Sequence, residues 1–279
     1  MKLAVLACVL VAATPVSGGA GFLQTRQLSD GSFAEPGQPG YPQLTAWATL
    51  GLTAARTAPR ARGVTIKYLA AKEAGLTSPT EIALVALAEE ALGQNADRLL
   101  ARLRALQRAD GSVGGLVNGT AWSVLAFRGS GTPVQARTIR WLLSRQTRVG
   151  GWGWSPRGAA DSNDTAAVVE ALRSANVTGR PISRALGFLL RFRNRDGGFE
   201  LTHRRGSDAQ STAWAVQAFV AARKPVPKKA FAYLRGLRRP DGSYRYSKQF
   251  VTTPVWVTAQ VLPALHRRAF PLSSPARGG

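Results

Sequence analysis

The sequence predicts an all-α protein built from six helical hairpins of about 40 residues each. Three observations predict it. A degenerate motif recurs in register along the chain, an amphipathic segment precedes each copy, and a more uniformly apolar segment follows it. The chain of 279 residues is long enough to bury one sizeable core, and six such units leave no room for a second domain.

The first element is a leader. Met1-Lys2 precedes an apolar run from Leu3 to Ala13, and small residues with a proline follow, up to Ala20. A short positive start, an apolar stretch of about a dozen residues and a small-residue exit describe a secretory signal peptide over residues 1–20. The run is shorter than the about 20 residues a membrane-spanning helix needs. Residues 21–270 then hold the repeats, and residues 271–279 read as a short flexible tail.

The repeats come next. "FLQTRQLSDGSF" from Phe22, "WLLSRQTRVGGW" from Trp141, "FLLRFRNRDGGF" from Phe188 and "YLRGLRRPDGSY" from Tyr233 share an aromatic-Leu start. Each then has Gln27, Gln146, Arg193 or Arg238, a glycine four positions on, and a second aromatic two beyond that. A weaker copy contains Gln107, Gly111 and Val113, and a faint one contains Tyr68 and Gly75. The marker glycines Gly31, Gly75, Gly111, Gly150, Gly197 and Gly242 lie 44, 36, 39, 47 and 45 residues apart.

Each unit reads as one solvent-facing and one buried helix. In "NADRLLARLRALQ", Leu99, Leu103 and Leu106 share a face while Arg98, Arg102 and Arg108 take others. The Asp-Gly that ends such segments is a stop signal, because glycine reaches positive φ without strain. The following segments begin at Thr45, Glu81, Thr120, Thr165, Ser211 and Val255 and are apolar on most sides, as buried helices are. Six such pairs form either an open solenoid or a closed ring.

The pattern aromatic-Leu-Leu, Gln, x3, Gly, x, Trp resembles the QW-type repeat of squalene and hopene cyclases, and "WLLSRQTRVGGW" matches it best. The resemblance covers nearly all of the chain after the leader. It implies closure into the α/α toroid (an α6/α6 barrel) that those cyclases share with protein prenyltransferases. It says less about chemistry, since one fold hosts many functions.

The resembling cyclases open an inner helix with Asp-x-Asp-Asp-Thr-Ala, whose middle Asp protonates an alkene or epoxide. Such a step needs a positioned neutral acid, a dry cavity and aromatic faces to stabilise the cation. Asp161-Ser162-Asn163-Asp164-Thr165-Ala166 aligns with that motif without gaps. Asn163 occupies the acid position, and an amide has no proton of useful acidity. Asp161 and Asp164 remain as candidate acids. The same residues are also an ordinary N-cap, since Asp and Ser are preferred there and a carboxylate suits the helix dipole.

A second cluster, "GSDAQSTAW", offers Asp208, Gln210 and Trp214 at the start of another buried helix, where a capping role again accounts for much of it. Trp47, Trp122 and Trp214 share a Thr-Ala-Trp context, and Trp256 lies near the corresponding place. With Trp152 and Trp154, these residues either line a central cavity or fill the core; pockets and cores both favour tryptophan.

The remaining composition limits partners and cofactors. The net charge is +22, from 37 basic and 15 acidic residues, and it favours an anionic membrane surface or cell-envelope polymer. No stacking or groove-reading motif points to nucleic acid. The single cysteine, Cys8, lies in the leader, and His203 and His266 are the only histidines, so no metal site or cofactor is expected.

The sequence therefore predicts an exported toroid that binds an apolar or isoprenoid-like ligand, or a partner, through its cavity or rim, without catalysis. Asn163 and the lack of the second α-barrel domain of the triterpene cyclases favour this reading. A reduced terpene cyclase and a basic envelope adhesion or scaffold protein are the alternatives.

Overall fold

The computed structural model describes residues 18–272, so the leader core Leu3–Ala13 and the tail beyond Leu272 lie outside the described residues. Twelve α-helices follow one another among them. The outer layer comprises α1 (Gly18–Thr25), α3 (Arg62–Lys72), α5 (Asp97–Ala105), α7 (Ala136–Ser144), α9 (Arg180–Leu190) and α11 (Lys228–Gly236). The inner layer comprises α2 (Pro42–Ala54), α4 (Pro79–Ala91), α6 (Val117–Gly129), α8 (Ser162–Ser174), α10 (Ala209–Ala221) and α12 (Pro254–Leu265). Consecutive inner helices pack together, and α12 packs back on α2, so the ring closes. Gly18, Gly19 and Ala20, counted with the leader in the sequence reading, form the first turn of α1, and Ala20 is buried.

The repeat motif has a physical meaning: it joins neighbouring hairpins. Gly31, Gly111, Gly150, Gly197 and Gly242 all have φ between +88° and +98°. A Cβ on Gly31 would lie 2.5 Å from Val64 in α3, and one on Gly111 2.7 Å from Arg137 in α7. Gly242 meets the carbonyl of Gly18 in α1, which closes the outer ring as α12 and α2 close the inner one. Gln27 donates to Thr65 Oγ1 at 2.7 Å and accepts from the Ala61 N–H, tying its hairpin to the start of α3. Gln146 donates to the Pro181 carbonyl at the start of α9. The faint second copy departs from this scheme. Gly75 ends a short 3₁₀ turn, lacks positive φ and approaches nothing. There Arg102 of α5 donates instead to the carbonyls of Glu73 and Leu76, and Arg98 pairs with Glu73 at 2.9 Å.

The threonine of the inner-helix motif is equally structural. Thr45, Thr120, Thr165, Thr212 and Thr258 each accept a hydrogen bond, at 2.8–3.0 Å, from the backbone N–H of the preceding marker aromatic or of Val113. The residue two beyond that aromatic caps the inner helix of the preceding hairpin. The carbonyls of Trp154, Leu201 and Tyr246 accept from the first N–H groups of α6, α8 and α10. The Glu35 carboxylate does the same for α12, at 2.8 Å from Trp256 N and 3.0 Å from Val255 N. Orphan helix N–H groups buried inside the ring are thereby satisfied.

Candidate functional site

The inner helices run parallel around the bore, so residues at equal distance from the shared threonine form layers. Ile82, the fourth residue after the N-cap of α4 as the threonines are in four of the other inner helices, takes the equivalent place there. Two positions before it stand Gln43, Thr80, Asn118, Asn163, Gln210 and Trp256, and all six line a cavity of about 330 Å³. Two positions after it stand Trp47, Leu84, Trp122, Ala167, Trp214 and Gln260, and all six line it as well. The first layer is hydrogen-bonding and lies at the N-terminal mouth; the second is largely apolar and lies about 6 Å deeper, at 1.5 Å rise per residue.

Trp47, Trp122 and Trp214 meet edge to face, with ring centroids 5.4–5.8 Å apart. This T-shaped geometry is the favoured one for aromatic pairs. Trp256 joins them at 6.0 Å from Trp47. Trp154 stands at the open rim with half of its surface exposed. Trp152 does not belong to the cavity, contrary to the sequence reading. It is fully buried between the two helix layers, and its Nε1 donates to the Leu142 carbonyl of α7 at 2.7 Å. The marker aromatic fills that interlayer gap in other hairpins too, as Phe33 and Phe199 do. Asp208 also departs. It caps α10, with its oxygens accepting from Ser211 N at 2.7 Å and Ser211 Oγ at 2.8 Å, and it faces a separate cleft beside Tyr233 and Tyr246. Burial pushes it up to about 6.

Asp161, Asn163 and Asp164 all reach the cavity. Asp161 is the N-cap of α8, where its Oδ1 accepts from Asp164 N at 2.8 Å. Its cap role and its place at the cavity coexist. Asp164 Oδ1 accepts from Asn118 Nδ2 at 2.7 Å, and Asn118 Oδ1 accepts from Thr80 Oγ1 at 2.7 Å. Burial, reinforced by the neighbouring Asp161 carboxylate, raises Asp164 far above the usual carboxylate range. Burial also raises Asp161, against the hydrogen bonds it accepts. Near neutral pH Asp164 therefore keeps its proton. No arginine or lysine lines the cavity among the described residues, and no cluster of metal-ligating side chains occurs among them.

Sequence reasoning missed Gln43, Thr80, Asn118, Leu84, Ala167, Leu201 and Gln260 as lining residues. For all of them but Leu201 the common register with Asn163 or Trp122 was the signal; Leu201 stands two residues beyond its marker aromatic Phe199, as Trp154 does beyond Trp152. It also missed Phe270, which sits beneath the tryptophans at 5.9, 5.8 and 6.3 Å from Trp47, Trp122 and Trp214. Nothing in the repeats marks Phe270, because it lies beyond the last inner helix.

The fold and site define an α/α toroid with a closed-bottom, aromatic central cavity, the architecture of type II terpene cyclases and protein prenyltransferases. No protein-family model matches the chain, and no curated protein is significantly similar to it. Among solved structures, the type II terpene cyclase MstE from Scytonema is similar, with TM-score 0.70 and 16% identity over 89% of this chain and 95% of that one. A protein from Actinoplanes is similar at TM-score 0.70 and 19% identity, covering 89% and 97% of the two chains. The Candida albicans protein geranylgeranyltransferase-I is similar at TM-score 0.62 and 14% identity, covering 80% and 82%. The match over nearly all of the MstE chain removes one argument drawn from sequence: a second α-barrel domain is not a general requirement for a terpene cyclase of this fold.

Proposed function

We propose that the toroid binds a small apolar, isoprenoid-like molecule with a neutral hydrogen-bonding end, and holds it without protonating it. The observation that carries this is the ring of neutral amide and hydroxyl side chains, Asn163 among them, directly above a floor of tryptophans. A cavity of about 330 Å³ lies at the small end of the about 300–1,000 Å³ range of ligand pockets. The absence of lining cations among the described residues and the presence of two carboxyls disfavour a diphosphate, and a neutral alcohol, ether or ester meets no such penalty. Two proteins of the same fold support the ligand class: MstE has geranylgeranyl dihydroxybenzoate as substrate, and the Candida enzyme was complexed with GGPP. Titration with geraniol and geranyl diphosphate, followed by tryptophan fluorescence, tests the reading. The alcohol binds and the diphosphate binds more weakly; a preference for the diphosphate, or no binding of either, would refute it.

A reduced cyclase is the second reading, and Asp164 favours it: a neutral carboxyl facing an aromatic cavity has a proton to give. Against it, a carboxyl raised this far is a weaker acid than alkene protonation demands. Product from squalene or a prenyl substrate, lost in Asp164→Ala, would establish this reading.

The proposal also places the protein outside the cytoplasm, on the leader-like Lys2 and Leu3–Ala13 stretch. An anionic membrane or envelope polymer is its partner surface. Exposed Tyr41, Trp154, Phe250 and Val251 stand on the loops at the open end of the ring, in a chain of net charge +22. Cell fractionation tests the first point. Co-sedimentation with anionic vesicles that weakens with salt tests the second, and salt-independent binding would count against it.

A further inference from the structure

The lower half of the bore is filled by the chain's own C-terminal segment. After α12 ends at Leu265, the chain turns back, and Phe270 inserts beneath the cavity with only 3% of its surface exposed. Its ring touches the three tryptophans that form the cavity floor. Pro271 lies against Gly129 at the end of α6, and Leu272 is buried. Arg268 Nη1 donates to the Thr53 carbonyl at the end of α2. The anchor is Glu170 of α8, one helical turn below the tryptophan layer, whose Oε2 accepts from Phe270 N at 2.6 Å. Glu170 is fully buried and its other oxygen has no partner, so this backbone contact is the one hydrogen bond its carboxyl makes among the described residues. A carboxyl held at such depth for a single main-chain N–H is a feature of attachment, because packing alone would favour an apolar side chain there.

We propose that Phe270 sets the length of the ligand. The tryptophan layer ends the cavity because the Phe270 ring fills the space under it. The next layer, which holds Leu50, Leu87, Leu125 and Gln217 beside Glu170, lies about 4.5 Å deeper at 1.5 Å per residue. With Phe270 in place the chain accepts short apolar ligands. Without it the bore deepens along the same axis, and longer ligands fit. This rests on the ligand-binding reading above, so the test separates the two.

Linear alcohols of increasing length probe depth without assuming an isoprenoid; geraniol, farnesol and geranylgeraniol probe the ligand class. Binding of both series is followed in the full-length protein, in Phe270→Ala and in Phe270→Leu, with folding checked by circular dichroism. In the unaltered protein, affinity rises about fourfold per added methylene, the factor that corresponds to about 0.8 kcal/mol per CH₂, and then stops at a cut-off length. In Phe270→Ala the cut-off moves several carbons further, and in Phe270→Leu it moves by less. The longer prenyl alcohols gain affinity in the same order. A cut-off that stays put in folded Phe270→Ala and Phe270→Leu overturns the proposal, as does the absence of any alcohol binding. A shifted alcohol cut-off with no prenyl alcohol bound by any of the proteins supports the role of Phe270 and refutes the isoprenoid reading instead.

Discussion

Replacing Glu170 with Gln removes a pH-dependent loss of stability from the centre of the ring. Burial pushes the Glu170 carboxyl up to about 8, from an ordinary 4.5, against the Phe270 N–H that favours its charged form. Between those two values the native state keeps a proton that the unfolded chain has released. The unfolded state then binds fewer protons, so stability falls as pH rises from 4.5 to about 8 and levels off above. At about 1.4 kcal/mol per pH unit, the loss attributable to this one group reaches roughly 5 kcal/mol as an upper bound. An amide keeps the geometry: its oxygen can accept from Phe270 N, and its NH₂ stands where Glu170 Oε1 has no partner. Urea denaturation of both proteins at pH 5 and pH 8.5 measures the effect. The variant gains on the unaltered protein by several kcal/mol between the two pH values. A difference in stability that stays constant across that range would refute the reasoning, since it would mean that Glu170 titrates normally in the fold.

Thr165→Val leaves Trp152 N without its acceptor inside the hairpin, at a cost of about 1–3 kcal/mol by denaturation. Thr120→Val, which strips the same bond from Val113 N, should cost as much, since the role belongs to the repeat and not to the cavity. Gly111→Ala, with φ at +97° and the Arg137 backbone 2.7 Å from the new methyl, destabilises by more than about 1 kcal/mol. Gly131→Ala, with φ at +75° and open space around it, costs less, and thermal melting ranks the two. Asp161→Asn keeps the cap of α8 but removes a charge beside Asp164, whose carboxyl then titrates at lower pH by carbon NMR; an unmoved titration would show that burial alone raises it.

The hairpin count and the split into outer and inner helices were legible because they rest on periodicity, which needs no knowledge of distant contacts. The marker glycines were legible for the same reason, although their purpose was not. In the sequence, Gly31 looks like a turn residue; in the fold its missing Cβ admits the backbone of α3. Trp152 was misplaced because two tryptophans separated by one residue read alike. One fills the gap between the layers and the other stands at the rim. Asp208 misled in a similar way, since a helix cap and a cavity carboxyl draw on the same residue types. Phe270 and Glu170 were out of reach. Their contact joins residues 100 apart, and neither carries a local pattern.

The layers also change what Asn163 means. Set against a terpene cyclase, it is an acid that has been lost. Set against its own ring, it is one of six equivalent positions, the others being Gln43, Thr80, Asn118, Gln210 and Trp256. Five of the six are neutral amides or hydroxyls and none is a carboxylate, so Asn163 conforms to its surroundings. Asp164 is the departure within the cavity. The residues equivalent to it in α2, α6, α10 and α12 are Leu44, Gly119, Ser211 and Val257, none of them charged, while the equivalent Glu81 of α4 closes a capping box with Ser78 and does not line the cavity. A buried carboxyl at that position is costly unless kept neutral; burial itself holds the proton on Asp164, the neighbouring Asp161 adds to this, and Asn118 satisfies one oxygen. The cavity therefore presents to a ligand a ring of neutral donors and acceptors with one protonated acid in it. Recognition of a neutral polar end group uses every part of that arrangement, whereas proton transfer to an alkene would use only Asp164 and would draw on it as a weak acid.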